Sequence, residues 1–151
     1  MEKLAELKIG GREIPMHYST YETIAIQREI GCTAFQIKDQ VFGVEKIDED
    51  GEETLGNIRL NVAEDPEKME KLARLIRILG NAGLEENGQE PDLTDKWILR
   101  HMRPSMITIY AMAMMAVITA GNMMEARAED NKGEETDVIL EEEKAKKQPE
   151  N

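Results

Sequence analysis

The chain has 151 residues, which suits a single domain with one hydrophobic core. Its 31 acidic residues outnumber its 19 basic residues, for a formal net charge of -12, and this argues against binding to nucleic acid or to anionic membrane surfaces. Cys32 is the only cysteine, so no intrachain disulfide can form, which suits a reducing cytoplasm. The N-terminal sequence MEKLAELKIGG lacks the apolar stretch of a signal peptide, so secretion by that route is not expected.

The predicted fold class is α+β, predominantly helical, with an N-terminal β-hairpin, about five helices and an acidic flexible C-terminal tail. The hairpin comes first, because residues 4–9 and 13–18 alternate apolar and polar side chains. Gly10 and Gly11 lie between these two runs, and a glycine pair accepts the positive φ angles of a tight turn.

Two helices are predicted directly after the hairpin, over residues 19–31 and 33–43. Each begins with the spacing of a capping box and ends at a glycine, where a left-handed residue commonly stops a helix. The residues that give these boundaries are Ser19 with Glu22 and Gly31, then Thr33 with Gln36 and Gly43.

Residues 45–65 are the least determined part of the sequence, with an acidic turn before a short strand at 57–62. The acidic residues raise the question of a calcium site. If Gly51 is the invariant glycine of an EF-hand loop, the first and last ligand positions fall on Lys46 and Asn57, which have no carboxylate. We therefore predict a solvated acidic turn.

A long amphipathic helix is predicted to begin after the cap residue Asp65 and to end at Asn81 and Gly83. A polar loop follows, and Thr94 starts another helix that Pro104 ends. The apolar stripe of the long helix recurs at three- and four-residue steps, through Met69, Leu72, Ala73, Leu75, Ile76 and Leu79.

The last predicted helix has no charged residue between Pro104 and Met124, although 33% of the chain is Asp, Glu, Lys or Arg. A helical wheel predicts one wide core face made of Met106, Ile107, Ile109, Tyr110, Ala113, Met114, Val117, Ile118 and Met124. The second side holds Thr108, Ala111, Met112, Met115, Ala116, Thr119, Asn122 and Met123. Because a helix without charge is normally covered all round, the second side is expected to contact either the rest of the domain or another molecule.

The candidate partner-binding residues are Met112, Met115, Thr119 and Met123, on the second side of this helix. Methionine is adaptable in shape and recurs on surfaces that accept varied apolar partners. We expect them to contact a client protein or a second copy of the chain, as in helix-in-groove recognition. Replacing Met112 and Met115 with Lys is expected to abolish client binding without changing the circular dichroism spectrum.

The same uncharged stretch is long enough to cross a membrane, for which about 20 apolar residues suffice. Its composition argues against this, because Thr and Ser hydroxyls, Gly121 and Asn122 are mixed with Ala and Met, and no aromatic belt marks either end. We therefore expect a single globular domain over residues 1–125 that does not enter a membrane.

Residues 126–151 are rich in acidic residues and lysine, and only residues 138–140 (VIL) are apolar together. Such a composition cannot build a core, so a mobile acidic tail is predicted. The VIL segment could act as a docking site that orders on binding.

Catalytic and metal-binding patterns are scarce in this sequence. His17 and His101 have no Cys, His or carboxylate at metal-ligand spacing, and no glycine-rich phosphate loop, serine elbow or kinase motif is present. The chain is therefore predicted to be non-enzymatic and to bind no cofactor and no metal.

Three stretches of the chain match a known pattern: IGGREIPMHYSTYETIAIQREIG at 9–31, KLARLIRILGNAGLEENGQEPDLTDKWILRHMRP at 71–104, and the Met/Ala helix that follows. Together they resemble the tail assembly chaperones of long-tailed bacteriophages and prophages. Proteins of this family have a short N-terminal strand pair that leads to a helix ending in Glu-x-Gly, here Glu29-Ile30-Gly31. The resemblance covers most of residues 1–125.

The resemblance implies a chaperone that coats the aggregation-prone tape measure protein in the bacterial cytoplasm and is absent from the finished virion. It also implies a frameshifted longer product that could reach the tail tube protein, since residues 144–147 could be encoded by an adenine-rich run. A homo-oligomer is a further expectation. The alternatives from other classes are a small acidic secretion or export chaperone, a structural subunit of a phage particle and, more remotely, an enzyme.

Overall fold

The computed structural model describes the backbone of residues 5–133 and the side chains of residues 5–122. It confirms the predicted α+β, mainly helical fold, because an antiparallel β-hairpin is followed by five helices, one of them a single π-helical turn. Residues 134–151 of the predicted tail lie outside the described part. The elements in chain order are β1 (Ala5–Ile9), β2 (Arg12–Met16), α1 (Thr20–Glu29), a π-helical turn (Lys38–Phe42), β3 (Val44–Lys46), β4 (Ile58–Leu60), α2 (Pro66–Glu86), α3 (Asp95–His101) and α4 (Ile107–Gly133). One compact unit ends at Val117, within α4, and a second begins at Ile118.

The hairpin is built as the alternation predicts, with β1 and β2 antiparallel and Ile9 opposite Arg12 at the turn. Gly10 and Gly11 both have positive φ, 58° and 80°, as a tight two-residue turn requires. The second strand ends at Met16, two residues before the predicted end, because the N–H of the next residue donates to the carbonyl of Leu79 in α2 at 3.1 Å. The hairpin is thereby joined to the long helix, and its inward side chains are buried: Leu7, Ile9, Ile14 and Met16.

Helix α2 packs closely against β2 through two glycines. A Cβ added at Gly83 would lie less than 3.0 Å from the carbonyl oxygen of Pro15 and 2.8 Å from the backbone nitrogen of Met16. A Cβ added at Gly80 would lie 2.6 Å from Cδ1 of Leu93. Glycine is needed at position 83, because there the helix backbone lies directly against the backbone of the strand, whereas the atoms closest to Gly80 belong to side chains.

The predicted end of α2 at Asn81 and Gly83 is wrong, since the helix continues to Glu86. Gly83 serves close packing and does not stop the helix. The stop comes later, at Asn87, followed by Gly88 with a φ of 73°.

The local capping predictions are confirmed. The Ser19 N–H donates to Oε1 of Glu22 at 2.9 Å, and the Thr33 N–H donates to Oε1 of Gln36 at 2.8 Å. Oδ1 of Asp65 accepts hydrogen bonds from the N–H groups of residues 67 and 68 at 3.0 and 3.3 Å. These are N–H groups of the first turn of α2, which have no partner within the helix.

The segment predicted as a second short helix is a 3-10 turn over residues 34–36 followed by the π-helical turn. It ends at Gly43, in the left-handed region with a φ of 64°, as predicted. A Cβ at Gly43 would overlap the side-chain amide of Asn61, so both the backbone angle and the space exclude other residues there.

The undetermined segment 45–65 contains a second small hairpin, in which β3 pairs antiparallel with β4. The predicted strand is therefore present in a shorter form. Asn57 closes the acidic loop between the two strands: its Oδ1 accepts the Asp48 N–H at 2.7 Å, and its Nδ2 donates to the carbonyls of Asp48 and Glu52 at 3.0 and 2.9 Å. The acidic side chains of the loop are exposed, as predicted for a solvated turn.

Three helices are tied together by arginine and carboxylate groups. Arg77 of α2 donates to Oδ1 of Asp95 in α3 and to Oε1 of Glu29 in α1, both at 2.6 Å. The amide of Asn81 also exchanges hydrogen bonds of 3.2 and 3.0 Å with the backbone of Leu93. These contacts fix the position of α3, the element that leads into α4.

Candidate functional site

Only one side of the first turns of helix α4 is buried. Pro104 opens a 3-10 turn, and in the turns that follow the buried residues are Ile107, Tyr110, Ala111 and Met114. This spacing of three, four and seven residues is that of one amphipathic face.

The predicted core face of α4 is therefore partly wrong. Met106 and Ile109, predicted as core, are 37% and 52% exposed, whereas Ala111, predicted on the second side, is fully buried. An uncharged helix offers no polar side to fix its rotation, because nearly every position tolerates burial. Met124 lies among the residues whose side chains are outside the described part.

An apolar stripe faces solvent at the start of α4. Met106, Ile109 and Met112 follow one another at three-residue steps and are 37%, 52% and 44% exposed. We call these three residues the α4 stripe, and all of them belong to the unit that ends at Val117. Exposed apolar side chains that follow one another along a helix are candidates for a contact surface for another molecule.

The four sequence-predicted partner residues do not share one environment. Met112 belongs to the α4 stripe, Met115 is partly buried, and Thr119 is exposed within the unit that begins at Ile118. The side chain of Met123 lies outside the described residues. Of the four residues, only Met112 belongs to the α4 stripe; Met106 and Ile109 lie six and three residues before it, and this spacing could have indicated their exposure.

Positive charges precede the α4 stripe. Lys96 and Arg100 are exposed on α3 together with Leu99, which is 40% exposed, and Arg103 is exposed at the start of the 3-10 turn. The carbonyl of Arg103 accepts the N–H of Met106 at 2.8 Å, so this cation lies within one turn of the stripe. We call Lys96, Arg100 and Arg103 the basic trio.

The basic trio stands in a region without acidic residues, since no Asp or Glu lies between Lys96 and Asn122. Among the side chains of residues 5–122, no carboxylate is within ion-pair distance of any of the three cations. The segment formed by residues 96–122 is therefore positive and apolar, in a chain whose net charge is -12.

The inner side of α3 is held by the hairpin. The rings of Trp97 and His101 stack with their centres 4.2 Å apart, and Nδ1 of His101 is 2.8 Å from the carbonyl oxygen of Trp97. Arg12 lies 5.9 Å from the centre of the Trp97 ring and pairs with Asp92 at 2.8 Å, which lowers the pKa of that carboxyl. His101 has a packing role against Gly10, and the outer side of α3 stays open.

Other surface features offer little for chemistry. A hollow between α1 and α2 is lined by Tyr21, Ala25 and Ile78, but its Arg77 is already paired with two carboxylates. Within residues 5–133, no group of three His, Cys, Asp or Glu residues is placed to hold a metal ion.

Among the described residues, the stretch Pro104–Asn122 is long and apolar enough to cross a membrane, and 22% of it is buried. Length and composition alone are weak grounds for a membrane span, because core helices of soluble proteins share them. No protein-family model, curated protein or solved structure matches the chain.

Proposed function

We propose that the chain is a non-enzymatic tail assembly chaperone, which binds the tape measure protein of a long-tailed phage and keeps it soluble in the bacterial cytoplasm. The observation that carries the proposal is the solvent exposure of the α4 stripe at Met106, Ile109 and Met112. The sequence resemblance described above supports the choice of client.

The stripe is suited to weak, repeated contact. Full burial of an Ile or Met side chain contributes about 1.5–3 kcal/mol, so covering the exposed part of each of the three residues contributes about 1 kcal/mol. Together they contribute about 3 kcal/mol before the entropy lost on association. A single contact of this kind is reversible, and a long client gains firm coverage only from many copies along its length.

The remaining surface favours solubility of the complex. A net charge of -12 makes coated clients repel one another, which opposes their aggregation. The two methionines of the stripe have flexible side chains that adapt to different apolar ridges along a helical client.

The test is dilution of denatured tape measure protein into buffer with the purified chain, followed by light scattering. The wild-type chain is expected to suppress scattering, and the double variant Ile109→Lys and Met112→Lys is expected to lose most of this effect while keeping its circular dichroism spectrum. The matched control is Ile24→Lys, at a helical residue of α1 that is 46% exposed.

Equal suppression by the double variant would reject the α4 stripe as the client site. Sedimentation with lipid vesicles that depends on Ile109 and Met112 would instead assign the stripe to a membrane. An equal loss of activity in Ile24→Lys would mean that added charge anywhere impairs the chain.

A further inference from the structure

We infer that the surface at the start of α4 selects a client helix whose apolar stripe carries Asp or Glu at one end. The inference rests on the proposed function and names the chemistry of the partner segment. It comes from the basic trio, which the apolar pattern of the sequence does not reveal.

The basic trio differs from the other unpaired cations of the described residues in its place, since its three members fall within the eight residues 96–103, shortly before the α4 stripe. Lys96, Arg100 and Arg103 lack an ion pair among the side chains of residues 5–122. The cations that do have such a partner are Arg12, Lys38, Arg59, Lys68, Lys71, Arg74 and Arg77. Three exposed cations that shortly precede an exposed apolar stripe in the chain are complementary to an acidic and apolar ligand.

The positions of the cations also predict an orientation. Lys96, Arg100 and Arg103 all precede Met106 in the chain, and no charged residue follows between Met106 and Asn122. Within this segment, the positive charge therefore comes before the stripe, on the side of α3 in the chain. A client helix that follows the stripe would place its acidic residues at the end that meets α3.

A second copy of the chain fits this surface less well, because a two-fold contact offers the same patch from both copies, and residues 96–122 contain no Asp or Glu to pair with the basic trio. Like charges at an interface disfavour association. A client with basic residues at the same end of its stripe would be disfavoured for the same reason.

The expected selectivity follows from the strength of exposed ion pairs. Two or three such pairs together change Kd by about tenfold, since each is worth a few tenths to about 1 kcal/mol. Repulsion from the acidic remainder of the chain opposes this, but at physiological ionic strength it is screened beyond about 8 Å.

The experiment uses two fluorescein-labelled helical peptides with the same apolar stripe, one with three Glu residues at one end and the other with three Lys residues at those positions. Fluorescence anisotropy with the full chain is expected to give a Kd about tenfold lower for the Glu peptide. The double variant Arg100→Glu and Arg103→Glu is expected to reverse this preference. Arg28→Glu with Lys46→Glu changes the net charge equally at two other cations and is expected to leave the preference unchanged.

The outcomes separate the inference from the proposed function. If the wild-type chain binds the Lys peptide as tightly as the Glu peptide, and Ile109→Lys with Met112→Lys weakens both, only the charge selection is wrong. If the stripe variant weakens neither peptide, the proposed function itself fails. Should the charge-reversed variant unfold, Arg100→Gln with Arg103→Gln serves in its place and is expected to abolish the preference.

Discussion

Replacing Gly83 with Ala tests the packing that positions every element around α2. The added Cβ would lie less than 3.0 Å from the Pro15 carbonyl oxygen and 2.8 Å from the Met16 nitrogen. Both atoms belong to the backbone of β2, which is paired with β1, so neither can rotate aside. Helix and strand must therefore move apart.

The size of the effect follows from the side chains between these two elements. Ile14, Met16 and Leu79 are 0%, 2% and 0% exposed, and a gap of 0.5–1 Å removes roughly a quarter to a half of each dispersion contact across it. Overpacking typically costs about 1–3 kcal/mol and occasionally more, and two fixed backbone atoms place Gly83→Ala at the upper end, at about 3 kcal/mol. Alanine is better than glycine inside a helix by about 1 kcal/mol, so the net loss is expected to be about 2–3 kcal/mol.

Two other glycines serve as controls. At Gly80 the nearest atoms are side-chain tips, Cδ1 of Leu93 at 2.6 Å and Cγ2 of Ile14 at 3.0 Å, which can shift. Gly80→Ala is therefore expected to cost at most about 1 kcal/mol. Gly56 has open space at its Cβ position and no positive φ, so Gly56→Ala is expected to stay within about 0.5 kcal/mol of the wild type.

The free energies of unfolding are obtained from urea titrations followed by circular dichroism, with Trp97 fluorescence as a second probe. The expected order of stability is Gly56→Ala, then Gly80→Ala, then Gly83→Ala. A Gly83→Ala variant as stable as Gly56→Ala would show that α2 does not lie against the backbone of β2.

Two further predictions concern titratable groups, the first of them two carboxyl groups and the second a thiol. Hydrogen bonds from Lys68 and Arg12 lower the pKa of Asp65 and Asp92, so their stabilisation is present above the ordinary carboxyl pKa of about 3.9 and is lost as the pH falls through the lower folded values. Urea titrations from pH 7 to pH 3 should show declining stability, with a smaller decline in Arg12→Gln; an equal decline would exclude the Asp92 pair as a contributor. Burial raises the pKa of the Cys32 thiol, so labelling by a maleimide should be slow in the native chain and fast in urea, and rapid native labelling would contradict this burial.

The sequence predicts best those features whose causes lie within a few residues. The capping pairs that begin at Ser19 and Thr33, the cap at Asp65 and the glycine turn at Gly10 all involve partners at most three residues apart. The bonds that define them can therefore be anticipated from spacing alone.

Features with distant causes are predicted poorly. Gly83 was expected to end a helix, but its role is set by Pro15, which lies far away in sequence. The strand Val44–Lys46 was missed because three residues carry too little alternation to identify a strand. The rotation of α4 also depends on distant partners, so Ile109 was placed in the core and Ala111 outside it.

In the proposed complex, the affinity for a client comes from apolar contact with the α4 stripe, and the selection among clients comes from charge interactions, which act over a longer distance. The stripe at Ile109 and Met112 contributes only in direct contact, because apolar burial requires removal of the water between the surfaces. The charge of -12 acts over a longer range, but at physiological salt it fades within about 8 Å, so a bound segment senses mainly the cations beside it. Under the proposed function, Arg100 and Arg103 would therefore select acidic clients locally, while the acidic remainder of the chain would keep the coated complex in solution.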